Sequence, residues 1–295
     1  MSFLTPSLNG RTLTVDAVMN SPTLIRDRIA MLADKQMLLG KLFETYGAQV
    51  AGGGLLYSSI TAADYFAEIN GGARAPGTEY SRLFGSEPAM GVAPVVDYGC
   101  WFEITDEQRL RNDISLLDHH VTQSANTLVR QLDEVCVASL EATLANNPGQ
   151  VIAGHPWTNL VTVGPLDALT ASTALPTADF ASAQLVADLQ EIGTKFDLLV
   201  CHPNEAAELR TAYRQFLGEA LDSAGLELFV TPRVPAGNAY LAVAGQVGVV
   251  GFEVPLHVEP ILIRERRTTK FQSYVVPAVA VDRPNNVVKI TGLAA

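Results

Sequence analysis

The chain has 295 residues, 48% of them hydrophobic and only 17% charged, so it can bury a sizeable core and lacks the composition of a disordered segment. A net charge of −11 argues against a protein that reads nucleic-acid sequence through a basic face. Three scattered cysteines, Cys100, Cys136 and Cys201, fit a reducing compartment without a disulfide framework, and the absence of a CxxC pair argues against a structural zinc site.

In chain order, residues 1–20 show no clear period and read as an irregular arm, with no positive start and apolar run of a secretory signal. Ser21-Pro22 supplies a cap and a first-turn proline, and Leu24, Ile25, Ile29, Leu32, Leu39 and Leu42 predict a helix running to about Tyr46. The glycine run at Ala51–Gly54 breaks it, and "LLYSSITA" from Leu55 reads as a strand. Residues 70–94 are dense in glycine and proline yet carry no long polar filler, and loops of that length rarely stay inside a compact domain. With the strand "VVDYGCWFEI" at Val95–Ile104, they predict a hairpin-like excursion from about Leu55 to Ile104.

The stretch from Thr105 to Gly149 reads as one uninterrupted helix. At 1.5 Å per residue, some 40 residues make a rod of roughly 60 Å, longer than the diameter of about 50 Å expected for a compact chain of this size. Thr105 and Gln108 form a capping box, Asp106 and Glu107 favour the positive end of the helix dipole, and Pro148 and Gly149 stop the helix. Apolar residues recur at Leu110, Ile114, Leu117, Val121, Ala125, Leu128, Leu132, Cys136 and Leu140. Steps of four are too frequent for a heptad seam, so the sequence predicts a straight rod laid across its own sheet rather than a coiled coil.

Beyond the rod, "ADFASAQLVADLQEIG" predicts a helix through Ala181, Leu185, Leu189 and Ile192. "FDLLVCHP" reads as a short buried strand, and "NEAAELRTAYRQFL" as a helix capped by Asn204. Two strands follow about a Pro/Gly turn in "LELFVTPRVPAGNAYLAVAG", and more strands in "GVVGFEVPLHVEPILIRER". "QSYVVPAVAVDRPNNVVKITGL" closes with two strands joined by a turn at residues 283–286. The weakly charged tract from Ala239 to Leu256 contains glycines, Gln246, Glu253 and Pro255, which mark strands and turns rather than a membrane span.

Candidate chemistry is sparse. Cys201 and His202 suggest a thiol hydrolase, but strand neighbours point to opposite faces, so a distant histidine (119, 120, 155 or 257) would have to serve. Cys201 also lies in an apolar run, where free cysteine behaves as core. Asp118-His119-His120 lacks a zinc ligand one turn on, where Gln123 and Ser124 stand, and reads as a polar helix face. No P-loop, G-x-G-x-x-G, G-x-S-x-G or H-E-x-x-H motif occurs. The sequence therefore predicts a protein that is not an enzyme, with no catalytic residues, metal or cofactor.

The order of parts resembles the major capsid protein fold of tailed bacteriophages, an architecture shared with encapsulin shells and herpesvirus capsid floors. The likeness covers nearly the whole chain, and most of it is carried by "FDLLVCHPNEAAELRTAY", "LELFVTPRVPAGNAYLAVAG" and "VVPAVAVDRPNNVVKITG". It implies an α+β fold: an N-arm at 1–50, an extended β-hairpin loop at 51–104, and a peripheral domain with a long spine helix at 105–175. A compact α/β axial domain at 176–254 and returning peripheral strands with a C-terminal tail at 255–295 complete it. The implied function is a structural subunit that self-assembles through hexamers and pentamers into an icosahedral shell around a double-stranded DNA genome. The implied location is the virion capsid, assembled in the host bacterial cytoplasm, with scaffolding, portal and cement proteins as further partners and no membrane. An encapsulin-type nanocompartment is the nearest alternative, and the thiol hydrolase a distant one.

Some members of that family weld neighbours by an isopeptide bond between a loop lysine and a peripheral asparagine, aided by glutamate. This chain has no lysine between Lys41 and Lys195, and Phe271–Val281 contains neither Asn nor Glu, so non-covalent closure is expected. No long coiled-coil scaffolding segment precedes residue 20, which leaves scaffolding to a separate protein, to a removed prepeptide, or unneeded. Residues 261–295 carry +4, against −4 each for 61–105 and 106–145. The basic cluster Arg264, Arg266, Arg267 and Lys270 is thus the candidate contact to a neighbouring acidic surface or to packaged DNA, touching phosphates without reading sequence.

Overall fold

The computed structural model describes residues 19, 21–33, 37–69, 73, 74, 76–80, 82–85, 87–111 and 114–294. Of the irregular stretch expected at 1–20, all but residue 19 lies outside these residues. Helices α1 (Pro22–Ala33) and α2 (Leu39–Leu42) lead into β1 (Phe43–Thr45). A hairpin follows, β2 (Gly54–Ser59) against β5 (Ala89–Pro94), enclosing a smaller pair, β3 (Glu68–Ile69) and β4 (Leu83–Phe84). Next come β6 (Tyr98–Thr105), α3 (Asp106–Leu110), α4 (Ile114–Asn146) and β7 (Val151–Ala153). Then α5 (Pro176–Asp188), β8 (Leu198–Cys201), α6 (Pro203–Tyr213), α7 (Leu217–Ala224), β9 (Glu227–Val230) and β10 (Asn238–Ala242) complete the middle. Strands β11 (Gly248–Ile263), β12 (Thr268–Ala280) and β13 (Val287–Thr291) close the chain.

Two larger sheets result, one in the order β1-β11-β12-β6 and the other β7-β13-β10-β8-β9. In the first, β11, β12 and β6 run antiparallel, and β1 joins β11 in parallel with Phe43 opposite Gly248. Gly248 is required there, because a Cβ would stand 2.2 Å from the Ala280 carbonyl oxygen. This pairing explains why the first helix does not run on to Tyr46: α1 ends at Ala33, and Phe43–Thr45 is drawn into the sheet edge. In the second sheet β8 lies between β9 and β10, so the strands flanking the Pro/Gly turn are not partners of each other. The turn at 283–286 passes the chain from the first sheet to the second.

The rod is shorter than the sequence suggested. Thr105 and Gln108 do close a capping box, but α3 ends at Leu110 with Arg111 as its cap. The long helix α4 begins at Ile114; its 33 residues span about 50 Å. Asp106 donates its N–H to the Arg267 carbonyl, which gives α3 an anchor on the β11–β12 turn separate from the stripe of α4. Leu110 accordingly leaves the stripe and is 79% exposed. From Leu117 onward the predicted stripe is buried, and it serves two cores in succession. Leu117, Val121, Ala125, Leu128 and Leu132 pack with Ile25, Ile29, Phe102, Phe271 and Val275. Cys136, Leu140 and Leu144 pack with Leu39, Leu42, Leu198, Val200, Tyr240 and Val287.

Polar contacts fix the junction. Asp133, buried on α4, accepts the N–H groups of Leu38 at 2.8 Å and Leu39 at 3.3 Å, and so caps α2 from a distant element. Further along, Glu141 receives Lys289 Nζ at 2.8 and 2.7 Å and the Tyr240 hydroxyl, tying α4 to β13 and β10. Burial and the Glu141 carboxylate both push the Tyr240 hydroxyl pKa up.

Two local expectations are corrected. Helix α5 buries Phe180, Ala183 and Ala187, whereas Leu185 and Leu189 face outward, 55% and 74% exposed. Its roll is set by Asp179, which accepts from Trp157 Nε1 at 2.8 Å and pairs with His155 Nδ1 at 2.7 Å, placing Phe180 edge-on to the buried Trp157 ring. Helix α6 is capped by His202, whose Nδ1 accepts from the Asn204 N–H at 3.2 Å; Asn204 itself is inside the helix.

Arg214, at φ 51° and ψ −122°, ends α6 in a backbone region that glycine tolerates and side chains resist. Arg214→Gly should raise stability by about 1 kcal/mol in chemical denaturation, the strain relieved exceeding the added unfolded-state entropy; a loss would show the corner to be relaxed. Burial raises the Asp133 carboxyl to about 6, only partly offset by its two backbone donors and nearby Arg233. The fold therefore holds this proton more tightly than the unfolded chain, so Asp133's contribution to stability declines as pH rises from about 4 to about 6. Asp133→Asn should gain on the wild type across that window; a pH-independent difference would contradict the assignment.

Candidate inter-subunit surface

Three members of the basic cluster predicted from sequence, Arg264, Arg266 and Arg267, lie in the exposed turn between the two longest strands, β11 and β12, while Lys270 is half-buried within β12. The members of the cluster do different things. Arg267 stands at φ 53° and reaches Asp106 at 3.5 Å and Glu107 at 3.8 Å, so its charge is partly met within its own chain. Lys270 lies over the Trp101 ring, 4.6 Å from its centroid. Arg264 and Arg266 are exposed and make no ion pair with the described residues. Helix α3, fastened to the same turn, brings Arg109 and the cap residue Arg111 into the neighbourhood. Sequence reasoning missed these two, because only the fold fastens residue 106, at the start of α3, to 267.

A second feature is apolar. On one face of the β2–β5 hairpin, Leu56 opposes Val92 and Ser58 opposes Met90, and Leu56, Val92 and Met90 are all more than 60% exposed. The opposite face carries Leu55 and Ala93, buried with Val50, Ala278 and Ala280 against β12. Gly91 lies beneath the Tyr57 ring, where a Cβ would come within 2.8 Å, so that face is closed. The hairpin is thus apolar on both sides with only one side covered. Leu83 and Phe84 in β4 add exposed apolar surface, as do Leu185 and Leu189 on α5. The sequence signal was present: "LLYSS" and "AMGVAP" lack the polar alternation of a half-solvated hairpin.

Groups that suggested chemistry are occupied otherwise. Cys201 is fully buried in β8, and burial with the Glu205 carboxylate nearby pushes its thiol up to about 12, which leaves no thiolate for nucleophilic attack. His202 caps α6. His120 stacks on Phe102 at 5.6 Å, and no three His, Cys, Asp or Glu side chains converge on a metal geometry among the described residues. Among the same residues, no helix is long and apolar enough to cross a membrane.

Comparisons with known proteins agree with this architecture. Residues 90–290 match the family model described as phage capsid protein. Among solved structures, a virus-like particle from Pyrococcus furiosus superposes with a TM-score of 0.60 at 14% identity, over 90% of this chain and 97% of that one. The capsid of cyanophage P-SCSP1u gives 0.59 at 13% identity, covering 88% and 89%, and that of Myoviridae phage XM1 gives 0.57 at 14%, covering 87% and 91%. No match emerged from the search of curated proteins. The two sheets, the hairpin and the long helix make up the phage capsid fold. With more than half its length matched, the chain belongs to the phage capsid protein family and is a subunit of a capsid shell.

Proposed function

We propose that the chain self-assembles, through hexamers and pentamers, into the icosahedral shell that encloses the double-stranded DNA genome of a tailed bacteriophage. The observation that carries this reading is the β2–β5 hairpin with one apolar face uncovered. A monomer that leaves such a surface in water gains free energy by burying it, at roughly 25 cal/mol per Å². A second copy is the partner always at hand, and a patch that meets a different patch on its neighbour makes a heterologous contact, which closes into rings. In this reading residues 51–104 reach over a neighbour, α4 braces the subunit across its breadth, and the axial region built on the five-stranded sheet faces the ring centre. Arg264 and Arg266 face a neighbour's acidic surface or the genome, whereas Arg267 spends part of its charge at home.

The shell is held without covalent welds, because the hairpin region offers no lysine amine. Assembly takes place in the bacterial cytoplasm, with portal, scaffolding and cement proteins as further partners, and the subunit has no enzymatic role. Genome-filled particles distinguish a phage capsid from a nanocompartment that encloses enzymes.

Electron microscopy of the purified chain should show uniform hollow particles. Leu56→Asp with Val92→Asp should abolish them while leaving the circular dichroism of the subunit unchanged; a stable solitary wild-type molecule would sink the proposal. On a denaturing gel, mature particles should run as one band near 31.5 kDa; a ladder of higher bands would disprove non-covalent closure. If the charge pairing matters, particles should loosen in high salt, since exposed pairs are worth only about 0–1 kcal/mol each.

A further inference from the structure

The outward face of the four-stranded sheet carries a feature that shell building does not require. Across β6 and β12, Gly99 opposes Tyr274 and Trp101 opposes Gln272. Trp101 is 58% exposed although it sits in mid-strand, where a residue of that size is ordinarily covered. Lys270, one rung further along, stacks on its ring, and His257 on β11 meets Tyr274 edge-on at 5.5 Å. Both aromatic side chains are therefore held in place by neighbours.

Gly99 leaves the space between them open. A Cβ there would come 2.8 Å from the Ser273 carbonyl oxygen and 3.0 Å from Tyr274 Cβ, so the gap is enforced by the backbone. The result is a cleft of about 270 Å³ lined by Asp97, Gly99, Cys100, Trp101, Gln272 and Tyr274. Two aromatic walls, a floor without a side chain, and one carboxylate and one amide at the rim form a small amphipathic slot.

We propose that this slot binds a neutral pyranose sugar unit of a glycan. The apolar C–H face of a pyranose ring stacks on an indole, and adjacent hydroxyls are matched by a carboxylate that accepts and an amide that both donates and accepts. At about 270 Å³ the slot is smaller and more polar than a pocket for a drug-sized ligand, a size suited to one sugar ring held by stacking and a few hydrogen bonds. A nucleobase fits the walls less well electrically, because Asp97, with Glu103 and Glu259 on the same face, outweighs Lys270 and repels phosphate. This inference stands apart from the shell reading, and either can fail alone.

The test uses the emission of the full-length chain. Its other tryptophan, Trp157, is fully buried, so a change on adding sugar reports Trp101. Titration with methyl glycosides of the common hexoses and N-acetylhexosamines should give a saturable blue shift for at least one, at roughly millimolar affinity. Trp101→Ala should remove the shift, and Asp97→Asn with Gln272→Ala should weaken it about tenfold or more. No saturable response to any pyranoside, a response that survives Trp101→Ala, or saturation by a single-stranded oligonucleotide but not by sugars would each overturn the assignment.

Discussion

Everything in this fold depends on one helical face serving two cores. A single stripe on α4 packs first against the four-stranded sheet and α1, then, from Cys136 onward, in a core shared by α2, the five-stranded sheet and one end of the four-stranded sheet. Because the stripe lies on one rigid rod, the two sheets cannot choose their separation or their roll independently. The polar contacts reinforce that dependence. Asp133 captures two backbone donors at the changeover, and Glu141 binds Lys289 and Tyr240 beyond it. Removing charges from water costs energy that a close pair only partly recovers, so the Glu141–Lys289 pair is better understood as fixing one docking geometry than as a source of stability.

The same constraint accounts for what is left exposed. A helix stretched between two sheets makes a broad body with a large perimeter, and the chain covers only part of it. The hairpin's second face and the outer side of α5 remain open although their residues are as apolar as many in the core. Net charge of −11 keeps isolated copies apart in solution, while the basic β11–β12 turn concentrates positive charge at one place on the surface. Apolar patches supply the gain from contact, and the uneven charge supplies its orientation.

Much of this was legible from the residues. The long helix and its stripe from Leu117 to Leu140 follow from spacing, as does the capping box at Thr105, although that box opens the short α3 and not the rod; the excursion follows from the density of glycine and proline. The errors come from tertiary contacts that local spacing does not carry: periodicity says which residues lie together on a helix, but not which side faces the core or where a distant partner draws the chain away. Leu185 and Leu189 form a good stripe on α5, yet Asp179, anchored by Trp157, turns the smaller Ala183 and Ala187 inward. Leu110 continues the repeat but is drawn away with α3 by its bond to residue 267. Phe43–Thr45 looked helical because its partner lies some two hundred residues ahead. The cluster at 264–270 was visible as charge, but its division into a paired Arg267, a stacked Lys270, and Arg264 and Arg266 without an ion pair among the described residues depends on contacts between distant segments.

The strand order has a consequence for how such a protein can change. The polypeptide leaves the four-stranded sheet along α4, returns to it between β10 and β11, and leaves again through the turn at 283–286. Neither sheet is a continuous stretch of sequence. No single cut can excise one as a self-sufficient module, and a gene fusion or recombination event at 247 would strip strands from both. Inheritance of this fold is therefore all or nothing across most of its length, while novelty is admitted at the tips: the hairpin end, the β11–β12 turn and the loop before α5.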